Sequence, residues 1–170
     1  GGMSIDEHVT TLEQLLRDLL TEHLRLIDLA GRHREALRLA DGQVITELSI
    51  ERDAVNARIS ALNSQRISVM AALATDVGIE AKSPTVRSLA ESLTPPRSAT
   101  LLALAGELRS AIESTRREHS ILRDATAAFA GHISGVLSRA VEMCAPARTY
   151  TSAGRVSTAS SLPGALDVRH

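Results

Sequence analysis

From Ser4 to Ala40, a first helix over about residues 4–40, the apolar residues recur at alternating intervals of three and four: Ile5, Val9, Leu12, Leu16, Leu19, then Leu26, Ala30, Leu37 and Ala40. That spacing draws one seam along an α-helix, the seam of a helix packed in a bundle or coiled coil, and no proline interrupts it. His23 and His33 fall on the same seam. Asp41 and Gly42 then supply a stop that tolerates left-handed geometry. A second helix is expected over about residues 43–77, closed by Gly78, with the seam Ile45, Leu48, Val55, Ile59, Leu62, Val69 and Leu73. Arg52 and Arg66 intrude on it, their stems buried and their heads in water. Two helices of similar length joined by a tight turn are antiparallel neighbours, each about 50–55 Å long.

A short element follows. Ser83 before Pro84 reads as an N-cap ahead of a proline at the first helical position, with Val86, Leu89 and Leu93 on one stripe. Pro95 and Pro96 end it. This helix, over about 84–93, is expected to plug one end of the hairpin. The last helix runs from about 98 to 145, stopping before Pro146, and unbroken it would be about 70 Å long. It exceeds its partners by about 15–20 Å. The surplus is expected to pass the Asp41–Gly42 turn, carrying Ile133, Val136, Leu137, Ala140, Val141 and Met143 without an intramolecular partner. The alternative is a bend or break at Gly131 or Gly135. Residues 146–170 read as a flexible tail.

The expected fold is therefore all-α: an antiparallel, coiled-coil-like bundle of three long helices plus one short connecting helix. Residues 1–3 read as a cloning scar and start, and residues 4–145 as a single helical-bundle domain, the size of one domain within 170 residues. Composition narrows the function. Nineteen Lys and Arg residues stand against 20 Asp and Glu, a net charge of −1, which gives no electrostatic reason to expect nucleic acid. No apolar stretch approaches the roughly 20 residues that a membrane span needs, so no membrane insertion is expected. Phe129 and Tyr150 are the sole aromatics, which disfavours stacking platforms and aromatic-lined pockets. Cys144 is alone, so no internal disulfide can form, and a cytoplasmic setting is expected.

Catalytic and metal motifs are missing from the sequence. There is no phosphate-binding loop, and Ser134 between Gly131 and Gly135 sits one place late for a nucleophile elbow. None of His8, His23, His33, His119 or His132 has a glutamate three residues before it, as helical di-iron sites require. No enzyme, cofactor or metal is expected. Gly131 and Gly135 form a small-residue ridge with Ala127, read either as a close helix approach or as a pliable segment that orders on a partner.

The order of landmarks says more. A long amphipathic helix ends in Leu39, Ala40, Asp41 and Gly42; a second follows with Glu47, Glu51 and Arg52 near its start; then come Ser-Pro, a short helix, a double proline and a long final helix. The chain then runs Arg148, Thr149, Tyr150, Thr151, Ser152, Ala153, Gly154 and Arg155. Over about residues 5–155 this resembles the FlgN family of flagellar export chaperones, with their Tyr-x-x-x-Gly-type ending. The small-residue-rich final helix and the stretch after Arg155 depart from that pattern. The resemblance implies a cytoplasmic chaperone that binds the C-terminal helical segments of hook-filament junction proteins (FlgK- and FlgL-type) and brings them to an FlhA-type export gate component. It implies cargo or gate contacts at Ile133, Val136, Leu137, Ala140, Val141, Met143 and Tyr150. Whether the chain works as a monomer or homodimer is open. The competing reading is a structural coiled-coil adaptor unrelated to flagella.

Overall fold

A computed structural model describes residues 2–145, and the described part is all-α. Three long helices and one short one follow in order: α1 (Ile5–Arg38), α2 (Gly42–Asp76), α3 (Val86–Glu91) and α4 (Arg97–Cys144). Ser4 starts α1 with a reciprocal cap: its Oγ accepts from the Glu7 N–H at 3.3 Å, and its own N–H donates to Glu7 Oε2 at 2.7 Å. Two orphan donors are thereby satisfied, and the acidic first turn faces the positive end of the helix dipole.

The α1–α2 turn corrects one expectation. The left-handed residue is Ala40, at φ 52°, one place before the Asp-Gly pair. The Asp41 N–H donates to the Ala36 carbonyl at 3.0 Å and the Ala40 N–H to Leu37 at 3.1 Å, so α1 ends in a Schellman pattern. Asp41 is the N-cap of α2 instead, with Oδ1 accepting from the Val44 N–H at 3.1 Å. A carboxylate serves better as a cap than as a passive left-handed residue, and the strained conformation passes to its neighbour. Gly78, at φ 75°, closes α2 in the same way.

A second correction concerns α3, which is capped by Thr85 rather than Ser83. Thr85 and Ser88 exchange bonds, each side-chain oxygen accepting from the other's backbone N–H at 3.1 Å. Two donors satisfied in place of one set the boundary there. Helix α4 passes through Gly131 and Gly135 without a break.

The core forms around α1. Val9, Leu12, Leu16 and Leu19 pack with Met70, Leu73 and Ala74 of α2, Leu89 of α3, and Leu101 and Leu108 of α4. Further along, Leu26, Leu29 and Ala36 meet Leu48 and Val55. Towards the turn, Ala30 and Leu37 meet Leu122, with Ile45, Ala125 and Phe129 against them. Helix α1 buries more than its seam, because α2 and α4 cover it from two sides: Leu15, Leu29 and Ala36 are buried, whereas Ile5 and Ala40 at its ends are exposed. Polar ties fix the register. Buried Glu22 binds Arg25 at 2.8 Å and Arg58 of α2 at 3.2 Å, leaving no uncompensated charge. His8 meets Asp76 at 2.5 Å, and Arg97 donates to the Asp6 carbonyl at 3.0 Å. These pairings make α2 antiparallel to α1 and the packed part of α4 parallel to it. The chain divides between Ala130 and Gly131, inside α4, and all of this packing belongs to the first part.

Two stability changes follow. Leu12→Ala leaves a hole in the fully covered core and is expected to cost about 2–5 kcal/mol in urea unfolding, against less than about 0.5 kcal/mol for exposed Ile67→Ala. Ala40→Gly removes a left-handed penalty of about 1–2 kcal/mol, only partly offset by glycine's greater unfolded-state freedom, and should stabilise by about 0.5–1 kcal/mol. Destabilisation by Ala40→Gly would show that the turn does not hold this conformation.

Candidate functional site

From residue 131 to 145 every position is exposed. Ile133, Val136, Leu137, Ala140 and Val141 recur three and four apart, so the helix stacks them on one face, with Met143 beside them. Val141 is 70% and Met143 86% exposed, so neither belongs to the core. The helical register thus brings together six of the seven residues singled out in the sequence. Tyr150, the seventh, lies outside the described residues, as does the stretch expected to be a tail.

A second feature lies within residues 1–130 and was not legible as a site. Helices α2 and α4 and the segment from Pro84 to Glu91 enclose an open groove of about 930 Å³. Leu16, Met70, Leu108 and Ile112 give it an apolar lining, and Arg66, Arg87, Arg109 and Arg116 stand around it with Glu91 and Glu113. Arg66 on the α2 seam is half-buried: its Nε donates to Asn63 Oδ1 at 3.2 Å, and a terminal nitrogen lies 3.3 Å from Met70 Sδ, both on its own helix. No sequence motif marks the groove, whose lining comes from separate helices and is assembled only by the fold.

Three histidines, His23 and His33 of α1 and His119 of α4, are at least partly buried. His33 is buried, and His23 shares a 3.4 Å contact with Thr115, whose hydroxyl donates to the Ala111 carbonyl at 2.9 Å. His119 Nε2 is buried without a partner. Arg34 and Glu118 pair across α1 and α4. Among the described residues no group of three His, Cys, Asp or Glu side chains is placed to hold a metal ion. No helix among them is long and apolar enough to cross a membrane. The exposed ladder and the groove offer apolar contact and charge, which is binding chemistry.

The described residues form an all-α arrangement of long helices with an exposed run of apolar residues at the end of the last. The family model for the FlgN protein matches residues 3–158, nearly the whole chain, and the chain belongs to this family of flagellar export chaperones. No curated protein and no solved structure matches significantly.

The burial of these three histidines is expected to make stability depend on pH. Burial lowers the affinity of His23, His33 and His119 for protons, helped by His119 beside His23, by Arg52 beside His33, and by Arg52 and Arg123 beside His119. Each takes up a proton more readily unfolded than folded, so this contribution is full above the unfolded value near 6.5 and fades as pH falls through the lower folded values. The melting temperature should therefore fall between pH 7.5 and 5, and less steeply in His119→Gln. An unchanged slope in that variant would remove His119 from the account.

Proposed function

We propose that the chain is a cytoplasmic chaperone of hook-associated proteins of the FlgK and FlgL type. It holds their C-terminal helical segments through Ile133, Val136, Leu137, Ala140, Val141 and Met143 and delivers them to an FlhA-type component of the export gate. Tyr150 serves as an anchor for cargo or gate. The chain acts by binding alone, without catalysis. The observation that carries the reading is the exposed ladder on α4 in a chain of this family.

The physics of such a client fits. An amphipathic segment that is disordered before export must bury its apolar stripe to stay unaggregated, and a complementary ladder lets ordering and burial happen together. A fully buried Leu, Ile, Val or Met side chain is worth about 1.5–3 kcal/mol. Five of them supply at most about 7–15 kcal/mol gross, which association costs of about 4–15 kcal/mol largely offset. Binding from the ladder alone is therefore modest and reversible, as release at a gate demands.

Isothermal titration with the C-terminal segments of hook-filament junction proteins tests this. Stoichiometric binding with a negative heat-capacity change is expected, weakened at least about tenfold in Val136→Asp, about 1.4 kcal/mol. Val136 is exposed, so that variant should fold normally. Binding unaffected by Val136→Asp but lost on truncation after Cys144 would move recognition to the following residues. No binding by the folded protein would overturn the reading.

A further inference from the structure

We propose that the groove between α2, α3 and α4 is a docking site for one amphipathic helix of a partner protein, one whose apolar stripe is flanked by acidic side chains. The inference rests on the chaperone reading, for which it supplies a second surface suited to the same kind of client.

Shape comes first. The α4 wall extends from Leu102 to Arg116. At 1.5 Å per residue that is about 21 Å, or about four helical turns. A cleft so long and open suits a helix lying lengthwise better than a compact small molecule, which is usually enclosed on most sides. The lining is apolar where a helix stripe would rest, and Leu102 lies in it 43% exposed. Aromatic rings are absent from the lining, which removes the stacking that single-stranded nucleic acid uses.

Charge then selects the partner. Four arginines and two glutamates stand around the groove, an excess of positive charge on a chain whose net charge is −1. Outside the groove several arginines are paired, Arg25 and Arg58 with Glu22 and Arg34 with Glu118, while Arg117, Arg123 and Arg139 form no ion pair among the described residues. Among the described residues none of Arg66, Arg87, Arg109 and Arg116 forms an ion pair, nor do Glu91 and Glu113. Guanidinium forks present paired donors in a plane that carboxylates match, and an apolar helix with glutamates or aspartates along its edges would satisfy lining and rim together.

The test is fluorescence anisotropy on the full chain with three labelled peptides of about 16 residues. One carries a leucine stripe flanked by glutamates, the second has lysines in place of the glutamates, and the third is a scramble of the first. The glutamate-flanked peptide is expected to bind at least about tenfold tighter than the lysine-flanked one, and the scramble not at all. Leu102→Glu should weaken binding by about tenfold or more. The double change Arg109→Glu and Arg116→Glu should reverse the charge preference. All three positions are exposed, so circular dichroism should show unchanged helix content. Val136→Asp should leave these affinities alone.

Equal binding of the two charged peptides, or indifference to Leu102→Glu, overturns the groove. If hook-associated segments still bind and depend on Val136, the chaperone reading survives that failure. If those segments do not bind while the glutamate-flanked peptide does, the client assignment fails and the groove stands. A dimer in sedimentation velocity that Leu102→Glu dissociates would make a second copy the occupant. Tighter binding of a single-stranded oligonucleotide than of any peptide would also overturn the proposal.

Discussion

Helix α1 is the element on which the rest depends. Its apolar side chains form the common surface against which α2, α3 and the packed part of α4 lie, and Leu12, Leu16 and Leu19 sit where the largest cluster forms. With one Phe and one Tyr in the whole chain, Phe129 is the one aromatic ring packed between helices among the described residues. Packing therefore comes from aliphatic side chains in register, and register is held by a few polar ties. Glu22 between Arg25 and Arg58 is the most buried of them. Such a pair adds little net stability, but losing one partner would strand a charge between helices, so it disfavours a slipped alignment.

Much of this was legible because helices declare themselves by spacing. The α1 seam located its partner surfaces, Gly78 marked the end of α2, and the extent of α4 followed from the stretch between Pro96 and Pro146. What the spacing could not supply was competition among local interactions. Asp41 and Ala40 exchanged roles because a side-chain cap outweighed the backbone preference of the Asp-Gly pair. Thr85 displaced Ser83 because it had Ser88 to answer it. Leu15, Leu29 and Ala36 were missed because a single seam describes one partner, and α1 has two.

The exposed ladder and the groove differ in how far the sequence reveals them. The ladder from Ile133 to Met143 could be read directly, since apolar residues on a long helix without a partner of equal length announce themselves. The groove could not. Its residues come from α1, α2, α3 and α4 and share no motif, and its arginines look in the sequence like ordinary solvated positions. Only the fold puts them around one apolar trough. A chaperone has reason to keep such surfaces modest: an exposed apolar face strong enough to hold a client indefinitely would also aggregate.

Under the proposed function, folding consumes the apolar surface of α1 and leaves that of α4 after residue 130 for a partner. Hydrogen exchange read by mass spectrometry, on the full chain with and without a FlgK-type C-terminal segment, tests it most directly. Slow exchange is expected at residues 12–19 in both states, and fast exchange at residues 131–144 that slows once the segment is added. Protection of residues 131–144 already complete in the free protein, or unchanged when the segment binds, would contradict it.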